Sequence, residues 1–316
     1  MVATVSQVID AARAVLAQAG VDSPEADAVE LASFVLDVAP AEVRRRIVLR
    51  STLDPGQADR IEHLVAERAA RVPLQHLTGR AHFRALTLAV GPGVFVPRPE
   101  TEMVAGLAIE AVCRLVAGAP SGPGAPSGPG APSRPRAPRT PRTAAPAPVV
   151  VDLCTGSGAI ALSVKDEVPT AQVHAVELEP QAHAWAARNV ELLGLTVDLR
   201  LGDATCAFPE LDGRVDVVVA NPPYIPIGMV PVHPEVAGHD PHAALYSGGT
   251  DGLGIPLAVA GRAAALLRPG GVFVMEHADS QGDSLPALLA EAGPWRDVTD
   301  HMDLTGRPRA VRAVRR

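Results

Sequence analysis

Residues 149–161 read Val149-Val150-Val151-Asp152-Leu153-Cys154-Thr155-Gly156-Ser157-Gly158-Ala159-Ile160-Ala161. A short β-branched run, a glycine-rich turn and a helix start succeed one another without a break. The run fits a strand buried on both faces, where near-continuous Val replaces strict alternation. Gly156 and Gly158 let the backbone pass close to a ligand, and the helix start offers unpaired N–H groups. Taken alone, Gly156 to Ala161 fits a dinucleotide fingerprint. Glu177 lies nineteen residues after Gly158, at the end of the next apolar stretch, where a carboxylate can accept both hydroxyls of a ribose.

Downstream, the pattern keeps alternating. Strands are expected at 149–153, 173–177, 197–201, 215–220 and 271–276, and helices at 158–166, 180–193, 253–267 and 285–292. That alternation predicts an α/β fold with a doubly wound, mostly parallel sheet, whose ligands bind beyond the carboxyl ends of the strands. Asp203, closing the third strand in Leu201-Gly202-Asp203-Ala204, is placed to read an adenine amino group.

Asn221-Pro222-Pro223-Tyr224 comes directly after the fourth strand. Asn before Pro is pushed to extended geometry, and the two prolines stiffen the backbone as far as Tyr224. The loop offers an amide oxygen, a carbonyl and an aromatic face. Two adjacent acceptors suit a planar NH2 group, one hydrogen each, and Tyr224 can stack on it. Holding both hydrogens aims the nitrogen at an electrophile above the plane.

Upstream, residues 1–73 read as a small helical domain. Val5, Ile9, Ala12 and Leu16 fall at helical spacing, Ser23-Pro24-Glu25 opens a second helix to about Val38, and Pro40 and Pro55 punctuate two more. Residues 74–99 form a hairpin linker, read as strands Phe83–Val90 and Val94–Val96 around Gly91-Pro92-Gly93. The catalytic domain spans 100–316, with Thr101 expected to cap a helix running from Met103 to Val116. Residues 119–147 interrupt it with hexads such as APSGPG, a composition expected to be disordered.

The 316 residues are 47% hydrophobic but 3% aromatic, so the core rests on Val, Leu and Ala. No run of 18 apolar residues appears, and the start lacks a signal-peptide pattern, so neither membrane span nor export is expected. Cys113, Cys154 and Cys206 are scattered, which fits a reducing cytoplasm rather than a disulfide framework or zinc knuckle. Net charge is −7, and without the four arginines of the insertion it is −11, a poor match to duplex DNA. His233, His239 and His242 share one loop without thiolate or carboxylate neighbours arranged as metal ligands, so no metal is expected. Trp185 and Trp295 read as core or half-buried anchors.

These parts together resemble class I S-adenosylmethionine-dependent methyltransferases with a Rossmann-like sheet. Within them the chain is similar to the HemK/PrmC family, the protein-(glutamine-N5) methyltransferases of peptide chain release factors. The likeness runs nearly end to end. It includes Pro97-Arg98-Pro99-Glu100-Thr101-Glu102, the stretch from Glu235 through Asp240-Pro241 to Gly252, and Asp303-Leu304-Thr305-Gly306-Arg307-Pro308-Arg309. Asp240 stands for the more usual Glu, and Cys154 for a common Gly where a small side chain is expected to pass.

The resemblance implies an S-adenosylmethionine pocket at Asp152, Cys154, Thr155, Gly156, Ser157 and Gly158, with Glu177, Asp203, Ala204 and Asn221, and S-adenosylhomocysteine as product. Asn221, Pro222, Pro223 and Tyr224 would hold the glutamine of a Gly-Gly-Gln loop, with Asn221, Pro222 and Tyr224 catalytic. The N-terminal helices and the hairpin with Phe83 would dock a class I release factor, without nucleic acid or membrane, and the enzyme would act as a monomer. Two relatives in reaction remain alternatives, an adenine-N6 DNA methyltransferase and a methyltransferase of a ribosomal-protein glutamine. The acidic charge argues against the first and the C-terminal motif against the second. A nicotinamide-dependent oxidoreductase would explain the glycines and Glu177 but leaves Asn221 to Tyr224 without a purpose.

Overall fold

The computed structural model describes residues 3–118 and 146–316. The hexad insertion therefore lies almost wholly outside the described residues.

Five helices come first: α1 (Val5–Gln18), α2 (Pro24–Leu36), α3 (Pro40–Val48), α4 (Pro55–Ala69) and the short α5 (Leu74–Thr78). Pro24, Pro40 and Pro55 each stand at the first helical position, where a missing N–H costs nothing. Reciprocal side-chain caps close the starts of α1 (Thr4 with Gln7) and α4 (Asp54 with Gln57). Their apolar faces share one core around Leu16, Leu31, Val43 and Ile61.

The hairpin is β1 (Arg80–Phe83) and β2 (Leu86–Ala89), turning at Arg84-Ala85. No strand forms at the expected Val94–Val96, where Val94 lies in a bend, and the hairpin turn lies earlier than Gly91-Pro92-Gly93. Arg84 takes the left-handed conformation (φ 52°), and its N–H donates to Glu102 Oε1 at 3.0 Å, which anchors the true turn.

Next come α6 (Pro99–Val116), β3 (Val149–Leu153), α7 (Ala159–Glu167), β4 (Gln172–Glu177), α8 (Pro180–Leu193), β5 (Asp198–Leu201) and β6 (Val215–Ala220). The chain closes with α9 (Pro234–His239), α10 (His242–Leu245), α11 (Gly254–Leu266), β7 (Leu267–Glu276), α12 (Ser284–Glu291), β8 (Trp295–Met302) and β9 (Pro308–Arg315). The sheet order is β5-β4-β3-β6-β7-β9-β8. The first five run parallel, while β9 inserts antiparallel between β7 and β8. Neither of those last two strands is among the sequence expectations: Trp295–Met302 is mostly polar and lies at the sheet edge, and arginines interrupt the apolar residues of Pro308–Arg315.

Hairpin, α6, α7 and α8 cover one face of the sheet. The other face packs against α11 and α12, with Trp295 stacked on Phe273 at 5.2 Å. Val217, Val218 and Val219 are buried on both faces, as a central parallel strand requires. Trp185 is half-buried, its Nε1 donating to the Pro92 carbonyl at 3.1 Å.

Candidate functional site

Pairing register brings the carboxyl ends of β3, β4, β6 and β7 side by side: Leu153 faces Val176 and Ala220, and Ala220 faces Met275. The chain steps outward from β3 to β5 and then returns to β6, so a crevice opens between β3 and β6. A cavity of about 730 Å³ occupies it, lined by Cys154, Thr155, Gly156, Ser157, Glu177, Asp203, Ala204, Asn221, Pro223 and Tyr224.

Three expected site residues stand behind that wall. Asp152 is fully buried, and its Oδ2 accepts from Thr155 Oγ1 (2.6 Å) and Ala161 N (3.1 Å), which folds the glycine turn back onto β3. Burial pushes its carboxyl up to about 7, against the pull of those two bonds. Gly158 (φ 86°) is needed for close packing, since a Cβ there would come within 2.9 Å of Leu162. Pro222 is buried, stiffening the loop between Asn221 and Pro223.

Gly156 differs in kind. At φ 58° a Cβ would meet nothing within 4 Å, so the space above it belongs to the cavity. Cys154 holds φ 65°, a conformation that glycine adopts freely, so the substitution is admitted in size but strained in backbone. Burial and the neighbouring carboxylates keep its thiol protonated, with a pKa well above the ordinary range.

Glu177 lies across from the turn, and its Oε2 accepts from Gly156 N (2.8 Å) and Oε1 from Glu179 N (2.9 Å). Each oxygen retains a lone pair for a further donor such as a ribose hydroxyl. Burial raises its pKa, and the backbone donors oppose that rise. Asp203 turns Oδ1 toward Thr205, and Leu178, 57% exposed, adds an apolar wall that sequence reasoning missed. The set of acceptors and apolar walls fits a nucleoside. Among the described residues, no group of three His, Cys, Asp or Glu side chains converges as metal ligands. His233 lies near Asp22, His239 packs edge-on to His76, and His242 packs tilted against Tyr246.

The opposite half of the cavity is built around Asn221. Its Nδ2 donates to Thr101 Oγ1 (3.3 Å), and Thr101 Oγ1 donates to Glu276 Oε2 (2.7 Å). Tyr224 donates its hydroxyl to the other oxygen, Glu276 Oε1, at 3.2 Å. Burial holds the Tyr224 phenol protonated and pushes the Glu276 carboxyl up to about 7, while Thr101, Arg309 and Tyr224 pull the latter down. Below the loop, Gln281 Nε2 donates to the carbonyls of Tyr224 (3.1 Å) and Asp251 (3.0 Å). Gly252, at φ 72°, supports the same carbonyl so closely that a Cβ would stand 2.1 Å from it.

Thr101 is thus no helix cap. The helix starts earlier, behind Arg98, and Thr101 is only 4% exposed on its first turn, facing the sheet edge. The segment Pro97 to Glu102 was the available signal, since a Thr and a Glu come after its prolines. Three polar side chains in it have different partners: Arg98 pairs with Asp240 (2.5 Å), Thr101 with Glu276, and Glu102 with the hairpin turn.

Phe83 also needs correction. It is 1% exposed within the core shared by the hairpin, α6 and the sheet, so its ring cannot meet a partner protein. A Phe alternating with polar neighbours in a short strand points inward, and here inward is the chain's own core.

Family models match two parts of the chain, the PrmC N-terminal domain at residues 7–79 and the methyltransferase small domain at residues 142–229. Over 299 residues the chain is 48% identical to the release factor glutamine methyltransferase of Streptomyces coelicolor, covering 94% of this chain and 93% of that one. The chain belongs to the release factor glutamine methyltransferase family. The family's protein from Bifidobacterium longum is 39% identical over 320 residues, 98% of this chain and 99% of its own. A 4-amino-L-phenylalanine/4-methylamino-L-phenylalanine methyltransferase of Streptomyces pristinaespiralis is 38% identical over 294 residues, 92% of this chain and 89% of its own.

In this release factor glutamine methyltransferase family member, the N-terminal helices reach the site through ion pairs. Arg68 joins Asp27 (2.7 Å) to Glu235 (2.7 Å), and Arg71 reaches the other Glu235 oxygen (2.8 Å). Glu235 opens α9, downstream of Tyr224, so the bundle and the post-motif segment share one wall of the cavity. The turn Asp303 to Arg307 is closed by Asp303 Oδ1, which accepts from Thr305 and Arg307, and it delivers Arg307 and Arg309 to the cavity.

Proposed function

We infer that this enzyme transfers a methyl group to the side-chain amide nitrogen (N5) of the glutamine in the Gly-Gly-Gln motif of class I peptide chain release factors. Full-length identity to release factor glutamine methyltransferases supports that substrate. The observation that carries the chemistry is the fixed amide of Asn221, whose NH2 is engaged by Thr101, leaving Oδ1 as the acceptor for a substrate N–H.

The half of the cavity at Gly156, Glu177, Asp203 and Ala204 is assigned to S-adenosylmethionine, with Asp152, Cys154, Thr155, Ser157 and Gly158 shaping the turn beneath it. Bound there, the cofactor supplies a methyl group on a cationic sulfur and leaves as S-adenosylhomocysteine. Glu177 accepts the ribose hydroxyls and Asp203 lies toward the base. Asn221 stands at the border of both halves and contacts cofactor and glutamine alike.

Asn221 Oδ1 and the Pro222 carbonyl take one N–H each of the primary amide, and the Tyr224 ring lies along its plane, with Pro223 stiffening the turn. An amide lone pair is delocalised into its carbonyl. Holding both hydrogens favours the conformer in which that pair faces the methyl group, so the acceleration comes from positioning. No strong base is required, because the methylated nitrogen is acidic and gives its extra proton to water. The enzyme acts as a monomer in the cytoplasm, with a protein as its partner.

The test is mass spectrometry of a purified release factor after incubation with enzyme and S-adenosylmethionine. A single methyl on the Gly-Gly-Gln glutamine is expected, and Asn221→Ala reduces the rate by ~10²-fold or more, the usual cost of misplacing a reacting group. Methylation of a ribosomal-protein glutamine in place of the release factor would overturn the assignment.

A further inference from the structure

One buried carboxylate serves two residues of the substrate cradle. Glu276 ends β7, and its two oxygens are shared between Thr101 on α6 and Tyr224 in the loop after β6. Thr101 has a single hydroxyl proton. Because that proton goes to Glu276, the hydroxyl can only accept from Asn221, and the Asn221 amide is forced to present its NH2 to Thr101 and its oxygen to the cavity. Reversed, the same amide would offer a donor to the substrate's own NH2, and two donors repel.

We propose that Glu276 and Thr101 are positioning residues for methyl transfer, a relay that sets which end of the Asn221 amide faces the substrate nitrogen. The inference rests on the function assigned above and adds residues to it.

The relay also has a direction in pH. Glu276 is faced by Thr101 and Glu100 from α6, by Tyr224 from the loop and by Arg309 from β9. Burial places its carboxyl at about 7. Once protonated, Glu276 can donate to Thr101, whose freed proton can then reach Asn221 Oδ1 and turn the amide over. The glutamine side chain has no titration of its own in this range, so turnover falls as pH drops through about 7.

Thr101→Val keeps the shape and removes the hydroxyl, and Thr101→Ser restores the hydroxyl on a smaller side chain. With a release factor as substrate, Thr101→Val is expected to lower kcat roughly 30-fold, with KM and cofactor affinity held within about twofold and the acid limb of the pH profile gone. Thr101→Ser retains kcat within about threefold and keeps the acid limb. Wild-type turnover in the Val variant, or equal loss in both variants, overturns the relay.

A second readout needs no substrate. The chain has two asparagines, Asn189 and Asn221, so protein carrying ¹⁵N only in asparagine shows two side-chain amide pairs. Asn189 is held by Ala89 and Ser157 and reports that the fold is intact. The Asn221 pair is expected to shift and exchange faster in Thr101→Val and to stay at its wild-type position in Thr101→Ser. Identical Asn221 resonances in wild type and the Val variant refute the relay. Failure of wild type to methylate a release factor refutes the assigned function instead, and the Asn221 resonances still decide the relay.

Discussion

Asp152→Asn tests the electrostatic cost of the glycine turn. In the wild type the Asp152 carboxyl is buried, with Oδ2 bonded to Thr155 and Ala161 and Oδ1 without a partner among the described residues. Burial is the dominant influence and carries its pKa from the ordinary 3.8 to about 7, aided by the nearby charge of Glu177. The folded value lies above the unfolded one, so the native state binds more protons between them. This group's contribution to stability is full below about pH 4 and is lost as pH rises through about 7. A gap of about three pH units corresponds to ~4 kcal/mol in all, of which ~3 kcal/mol falls between pH 5 and pH 8. Asn cannot ionise. Its oxygen can keep the bonds to Thr155 and Ala161, but its NH2 then takes the orphaned position at a cost of ~1–3 kcal/mol, independent of pH. The variant should therefore be less stable than wild type at pH 5 and gain ~3 kcal/mol relative to it by pH 8. Glu276 titrates in both proteins and cancels. Urea unfolding monitored by tryptophan fluorescence reads the right unit, since Trp185 lies on α8 and Trp295 on β8, both in the sheet half. Stability curves that stay parallel across pH 5 to pH 8 would refute the argument.

Gly252→Ala should disable the loop from below, because its Cβ would collide with the Tyr224 carbonyl in a left-handed turn. We expect a loss of ~3 kcal/mol by thermal or urea unfolding, with methyl transfer reduced at least about tenfold and cofactor affinity retained. Glu235→Gln strips the charge that Arg68 and Arg71 share, both in largely buried positions. It should cost ~2 kcal/mol and raise KM for the release factor, whereas Glu67→Gln, a half-exposed control on the same helix as Arg68, should change stability by less than about 0.5 kcal/mol.

Much of this enzyme is written in local sequence. The Val runs of β3 and β6, the glycines of the turn, Glu177 and Asn221 to Tyr224 are legible because strand burial, positive φ and proline stiffness are imposed by a residue and its immediate neighbours. The prolines opening α2, α3 and α4 are legible for the same reason. The bonds that cross between elements needed the tertiary structure. Thr101 lies 120 residues from Asn221 and 175 from Glu276, and only the strand order, with β7 beside β6 and α6 laid over their ends, brings the three together. The docking role that the resemblance implies for Phe83 fails because a short alternating strand does not say which core its apolar face will meet, and here that core is the chain's own. Strand β8 was missed because an edge strand can stay polar and still pair through its backbone, and β9 because Arg309, Arg312 and Arg315 interrupt its apolar residues. Local patterns specify the backbone conformation of each segment, and the choice of partner comes from the packing of faces, which depends on all the segments at once.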